Sequence, residues 1–165
     1  MKLFVMRHGE AASGTPDASR PLEPLGEEEA HRTAQWLKHY LSDDEMAELN
    51  IIASPYKRAR QTADIVARTL GLSSSLALPL ITPDAPAESA IDWLAEHASD
   101  GSPWLLVSHM PLVADLVGRL VDGGPHARLP LGTADIVALE SEVWAAGCAT
   151  LRVHQSPNQI ERPDH

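Results

Sequence analysis

Short apolar runs alternate along this chain with longer segments of helical period. Leu3 to Met6 reads as a buried strand, and residues 11–25, rich in serine, glycine and proline, read as a loop. From Gly26 to Leu41 the residues Ala30, Ala34, Leu37 and Leu41 form the stripe of an amphipathic helix. Ile51-Ile52-Ala53 is a second short strand. Ser54 then offers an N-cap, Pro55 a first helical residue and Gly71 a C-terminal stop, so a helix is predicted between them. Leu76 to Ile81 reads as an extended edge segment. Pro86 opens a helix with Ala87, Ile91, Leu94 and Ala98 on one face. Trp104 to Val107 is a third strand, and Pro111 starts a helix carrying Leu112, Val113, Leu116, Val117 and Leu120. Ile136 to Leu139 and Thr150 to Val153 are two final strands.

Strands alternating with helices imply an α/β protein: a three-layer α/β/α arrangement whose mostly parallel sheet is covered on both faces. The last two strands, joined by a short connection with Gly147, are expected to form an antiparallel edge. At 165 residues the chain is long enough for about one domain. That domain is expected over residues 1–154, with a polar C-terminal tail over 155–165. The acidic runs Glu27-Glu28-Glu29 and Asp43-Asp44-Glu45 read as a solvated helix start and a loop.

Composition narrows the function classes. The hydrophobic share is 44% and the charged share 22%, which exclude wholesale disorder and collagen-like repeats. A net charge of −10 argues against nucleic acid and anionic membranes as partners. Any anionic substrate therefore needs a local positive site. The longest apolar runs, such as Trp104-Leu105-Leu106-Val107, fall far below the ~18 residues of a membrane helix. The N-terminal run Leu3-Phe4-Val5-Met6 is too short for a signal sequence, and the single cysteine, Cys148, excludes an internal disulfide or thiolate cluster. A soluble cytoplasmic protein is the expectation.

Three motifs each fall just after a strand. Arg7-His8-Gly9-Glu10 follows the first, Ser54-Pro55-Tyr56-Lys57-Arg58-Ala59-Arg60 the second, and Ser108-His109-Met110-Pro111 the third. In an open parallel sheet, ligands bind outside the carboxyl ends of the strands, so the three motifs are expected to share one cleft. They bring together two imidazoles and at least two guanidinium groups, a combination suited to phosphate. Arginine's planar fork grips a phosphoryl group bidentately and keeps its charge at any working pH. Cations in the opening turns of a helix oppose its dipole, which makes sense if an anion sits in front of them. On this reasoning Arg58 binds phosphate, whereas Arg60 is a surface residue pairing with Asp64.

A neutral imidazole nitrogen is a competent nucleophile toward phosphorus, which suits His8, and Gly9 lets the backbone turn sharply beside a ligand. His109 is expected to donate a hydrogen bond to the phosphoryl oxygens. The histidines at 31, 39, 97, 126, 154 and 165 lack such company and read as surface residues. His8, Glu10 and His109 also offer ligands for a divalent ion. Two-metal phosphatases need clustered carboxylates, however, and the arginine-rich motifs here repel a cation, so metal-independent chemistry is expected.

Arg7-His8-Gly9, the set Ser54-Pro55, Arg58-Ala59 and Gln61-Thr62, and Ser108-His109 together resemble the histidine phosphatase (phosphoglycerate mutase-like) superfamily. The likeness spans nearly the whole chain. It implies that His8 is the phosphorylated nucleophile, that Arg7, Arg58 and His109 complete the phosphate pocket, and that no cofactor is needed. Within the superfamily the chain is most similar to the small bacterial SixA-type phosphohistidine phosphatases. The shared features are Arg20-Pro21-Leu22, Leu78-Pro79-Leu80-Ile81-Thr82-Pro83, Ser108-His109-Met110-Pro111-Leu112-Val113 and Thr133-Ala134. That group lacks the insertions that cover the mutase site, so the resemblance implies a cleft open to a protein-borne phosphohistidine. The implied partner is a phosphorylated protein such as a histidine phosphotransfer domain or a phosphocarrier.

Two further residues bear on the substrate. A phosphomonoester expels an alkoxide that usually needs a general acid, whereas phosphohistidine expels an imidazole that needs less protonation. Glu88 is the candidate acid; at the third position of a helix opened by Pro86, it also serves the helix dipole. Arg20 is a candidate substrate contact, or else a surface partner of Asp17. The leading expectation is a phosphohistidine phosphatase. The alternatives are a small-molecule phosphomonoester phosphatase and a non-catalytic phosphate-binding module.

Overall fold

Strand β1 (Lys2–Arg7) runs through the centre of the molecule, buried without interruption from Leu3 to Met6. The computed structural model describes residues 1–73, 75–125 and 129–159. After β1 come α1 (Pro24–Tyr40), α2 (Asp43–Glu48), β2 (Asn50–Ala53), α3 (Lys57–Thr69), β3 (Leu76–Ala77) and α4 (Ala87–His97). The chain closes with β4 (Trp104–Ser108), α5 (Leu112–Asp122), β5 (Ile136–Glu140) and β6 (Thr150–Gln155). One six-stranded sheet holds them in the order β3-β2-β4-β1-β5-β6. The first four of these strands pair in parallel, and β5 is antiparallel to both β1 and β6.

Alternation along β1 explains the layering. Leu3 and Val5 point to one face, where Leu94, Leu112, Leu116 and Leu120 of α4 and α5 cover them. Phe4 and Met6 point to the other, against Ala34 and Leu37 of α1 and Ala59, Ala63 and Val66 of α3. Both faces are covered, so the central strands read as continuous apolar runs. This is the three-layer α/β/α fold expected from the sequence.

Several local readings change. Ser54 does not cap α3: the helix begins at Lys57 with Tyr56 as N-cap, and the Ser54 hydroxyl accepts from Tyr56 N–H at 3.3 Å and meets His109 Nε2. Pro86 and Pro111 occupy the N-cap positions of α4 and α5, so Glu88 is the second residue of its helix. The extended edge reduces to β3 and a 3-10 turn at Pro79–Ile81. Asp43 to Glu45 is not a loop but the first turn of α2, closed by a reciprocal capping box between Ser42 and Glu45. Glu29 is not solvated; it is 6% exposed and braces the site. The stretch from Gln155 onward is not all tail: Gln155 closes β6, and a 3-10 turn at Pro157–Gln159, with Pro157 buried, contacts α1. His126 and residues 160–165 lie outside the described residues.

Candidate active site

Parallel register brings the three motifs together. Arg7 pairs with Ser108 and Ala53 with Val107, so β1, β4 and β2 end side by side. Past the strand ends, His8 N–H donates to the Ser108 carbonyl and Ser54 N–H to the Val107 carbonyl, each at 3.0 Å. His8, Ser54 and His109 thus leave the sheet at one edge, and α3 carries Arg58 to the same place.

His8 is 7% exposed, and its Nδ1 lies 2.7 Å from the Gly9 carbonyl oxygen. A carbonyl only accepts, so the neutral ring carries its proton on Nδ1 and keeps a lone pair on Nε2. Arg58 Nε donates to that nitrogen at 3.3 Å. Burial pushes the His8 pKa down to about 4, opposed by the Gly9 bond and reinforced by the charges of Arg58, Arg7 and Arg20. The ring is therefore neutral at pH 7.

His109 is 1% exposed, and its ring centroid lies 5.1 Å from that of His8. Its Nε2 sits 2.7 Å from Ser54 Oγ, while its Nδ1 is buried with no hydrogen-bond partner. Burial, followed by the nearness of His8 and Arg58, pushes its pKa down to about 3. Tyr56 packs edge-on against His109 and beneath the Arg58 guanidinium, with 5.1 Å between centres in each case.

Arg7 sends Nη1 to the Leu131 carbonyl at 3.0 Å, and its Nε is buried without a partner. Burial lowers its pKa, and the carboxylates of Glu10, Asp135 and Glu29 oppose that effect. Arg7 Nε and His109 Nδ1 are two unsatisfied buried nitrogens in one cluster, and a buried unsatisfied nitrogen calls for a ligand or a water. Arg58 also donates Nη1 to the Asp17 carbonyl at 2.8 Å and Nη2 to Asp17 Oδ2 at 3.1 Å.

The cluster rests on a polar brace that the hydropathy pattern does not reveal. Glu29 Oε1 accepts from Glu10 N–H at 2.9 Å and from Thr133 Oγ1 at 3.0 Å. Thr33 Oγ1 donates to the Ala134 carbonyl, and Ala134 N–H to the His8 carbonyl. His154 is not a plain surface residue: its Nε2 lies 2.9 Å from Asp135 Oδ2, behind the loop that holds Arg7. Thr62 Oγ1 accepts from Gly9 N–H at 3.1 Å. Gly9 itself answers a packing demand. A Cβ there would lie 2.4 Å from the Gly26 carbonyl oxygen, and one on Gly26 would lie 2.0 Å from that of Glu10. The first turn of α1 therefore lies directly on the loop after His8.

Of the singled-out residues, Arg7, His8, Arg58 and His109 converge. Arg20 stands at the rim, with Nη1 on Asp17 Oδ1 at 2.9 Å and Nε on the Ala12 carbonyl at 2.8 Å. Arg60 is exposed. Glu88 lies apart from these contacts, its carboxylate accepting from Arg119 Nε at 2.5 Å on the exposed surface between α4 and α5. Among the described residues, no group of three or more histidine, cysteine or acidic side chains is arranged to hold a metal ion. No helix among them is long and apolar enough to cross a membrane.

The chain belongs to the histidine phosphatase superfamily and is a phosphatase by its similarity to the SixA proteins. The model of that superfamily's branch 1 matches residues 3–80. The chain is 36% identical, over 98% of its length and 97% of the relative's, to the phosphohistidine phosphatase SixA of Escherichia coli K12. It is 33% identical to the phosphohistidine phosphatase SixA homolog of Haemophilus influenzae, over 94% of this chain and 96% of that one. A solved structure of the protein histidine phosphatase SixA complexed with tungstate superposes with a TM-score of 0.85 at 31% identity, covering 98% of this chain and 100% of that one.

Proposed function

We propose that this protein removes phosphoryl groups from phosphohistidine on a signalling or phosphocarrier protein, through a phospho-His8 intermediate and without a metal. The observation that carries the proposal is the His8 ring. Its Nδ1 is committed to Gly9, and its Nε2 lone pair stands beside the Arg58 guanidinium.

In this mechanism Arg7 and Arg58 grip the phosphoryl oxygens, and His8 Nε2 attacks phosphorus in line with the departing nitrogen. The electron pair of the breaking P–N bond goes to the substrate imidazole, which takes up a proton from solvent water on leaving. The phosphorylated His8 ring carries positive charge, and its Nδ1–H bond to Gly9 becomes charge-assisted. Ser54 occupies Nε2 of His109, so Nδ1 is the nitrogen left to face a phosphoryl oxygen. Water then attacks the phospho-His8 phosphorus, releasing inorganic phosphate and restoring the ring. Two guanidinium groups supply the positive charge that a metal ion gives other phosphatases. The SixA relatives support phosphohistidine as the substrate class, and the pairing of Glu88 with Arg119 supports a leaving group that needs no dedicated acid. A cytoplasmic location fits such a partner.

A paired assay at neutral pH with chelator present tests the proposal, using a phosphohistidine-bearing phosphotransfer domain and p-nitrophenyl phosphate. Fast release from the protein with feeble ester hydrolysis is expected. Comparable or faster ester hydrolysis would replace the proposal with a small-molecule phosphomonoesterase, and binding without turnover of either substrate would replace it with a phosphate-binding module.

A further inference from the structure

We infer that the Asp17 carboxylate is an internal anion that competes with the substrate's phosphoryl group for Arg58, and so sets how tightly the site holds phosphate. This rests on the reading of the His8–Arg58 cluster as a phosphoryl site. The Arg58 side chain is 6% exposed, and three of its donors are already engaged: Nε by His8 Nε2 at 3.3 Å, Nη1 by the Asp17 carbonyl at 2.8 Å and Nη2 by Asp17 Oδ2 at 3.1 Å. Carboxylate and phosphoryl oxygens use the same guanidinium fork. A phosphoryl group arriving in front of His8 Nε2 therefore meets one donor committed to the Asp17 carboxylate and a second held by the Asp17 backbone carbonyl.

Asp17 has somewhere else to go. Its other oxygen, Oδ1, accepts from Arg20 Nη1 at 2.9 Å, and Arg20 is anchored by Nε on the Ala12 carbonyl at 2.8 Å. The Asp17 side chain is 53% exposed, on a loop whose residues 13–19 all face solvent. It is thus shared between one buried arginine of the site and one half-exposed arginine of the loop. An incoming phosphoryl dianion repels the carboxylate from Arg58 and leaves the pairing with Arg20 intact. Proton donation to the leaving group suits Asp17 poorly. The hydrogen bond from Arg20, then that from Arg58, holds its pKa below the ordinary carboxylate value.

Titration calorimetry with inorganic phosphate at neutral pH tests this on the wild type, Asp17→Asn, Asp17→Ala and Arg58→Ala. Both Asp17 variants are expected to bind phosphate about tenfold tighter than the wild type, a difference of about 1.4 kcal/mol. That advantage is expected to shrink as salt rises from about 0.05 M to about 1 M, because a competing charge is screened and a merely structural effect is not. Arg58→Ala is expected to lose measurable binding. Asp17 variants that bind no tighter than a phosphate-binding wild type would overturn the inference and leave the phosphoryl site standing. A wild type that binds no better than Arg58→Ala would overturn both.

Discussion

His8 Nδ1 lies 2.7 Å from the carbonyl oxygen of Gly9, and that single bond decides which ring nitrogen is free to react. The carbonyl fixes the proton on Nδ1, so Nε2 faces Arg58 as a lone pair, without a second side chain to act as base. His8→Ala is expected to lose at least about 10³-fold in turnover while its circular dichroism stays unchanged. An acid-labile phosphoryl adduct is expected on the wild type by mass spectrometry and absent from the variant. Undiminished turnover in His8→Ala would remove covalent catalysis from the account.

Arg58 combines three engaged donors with burial and a stacked Tyr56 ring. Lysine keeps the charge but not the planar fork. Arg58→Lys is expected to lower kcat/KM by about 10²-fold, with a rise in KM, and Arg58→Ala by about 10³-fold. Steady-state kinetics on the phosphotransfer-domain substrate checks both, and a lysine variant as active as the wild type would show that charge alone suffices.

The two buried imidazoles tie stability to pH. The pKa of His8 in the fold is about 4 and that of His109 about 3, against 6.5 for the ordinary ring. Their neutral forms are favoured in the fold, so this stability is complete above about pH 6.5. It is lost as pH falls through the window toward 4 and 3, where the unfolded chain binds more protons than the folded one. His8 alone accounts for on the order of 3 kcal/mol across that window. Thermal melts of the wild type are expected to fall between pH 7 and pH 4 more steeply than those of His8→Ala. Parallel slopes would show that the fold does not hold the ring neutral. Turnover is expected to hold until the pH nears 4, where protonation of Nε2 in the folded ring removes the nucleophile.

Gly26 and Gly9 tie α1 to the loop after His8 with no room between them. A methyl group at Gly26 would sit 2.0 Å from the Glu10 carbonyl oxygen, a backbone atom that cannot rotate away. Gly26→Ala is expected to cost on the order of 3 kcal/mol and to lower activity by displacing the His8 loop. Denaturant unfolding beside kinetics separates the two effects. A variant of wild-type stability would mean that α1 can shift without consequence.

The four convergent residues are legible because each lies at or just past the end of a strand of unmistakable apolar character, and parallel pairing then does the convergence. Ser54 has the local spacing of a helix cap, and its hydroxyl does accept from Tyr56 N–H two residues on, just ahead of the helix. Its other partner, His109, lies 55 residues away. Glu29 stands in an acidic run that looks solvated, and its burial comes from Thr133, 104 residues distant. His154 is paired by the same kind of tertiary contact with Asp135. Periodicity reports which face of an element is covered, and it does not report which polar group waits on the other side. Helix α2 is a different case. Ser42 and Glu45 carry the capping-box spacing in the sequence itself, and the acidic run masked it.

Glu88 tests whether the proposed chemistry extends beyond phosphohistidine. Its carboxylate accepts from Arg119 Nε at 2.5 Å, and Arg119 also reaches the Gly123 carbonyl at the end of α5. A carboxylate engaged in that pairing is not positioned to hand a proton to a leaving group at His8. An alkoxide leaving group needs that proton far more than an imidazole does. Glu88→Gln is therefore expected to change turnover of the phosphotransfer-domain substrate and of p-nitrophenyl phosphate by less than about twofold each, since an exposed ion pair contributes little to stability or shape. A loss of about 10²-fold confined to the ester would show that Glu88 leaves Arg119 during turnover and donates a proton. An equal loss on both substrates would instead assign the Glu88–Arg119 pair to holding α4 against α5.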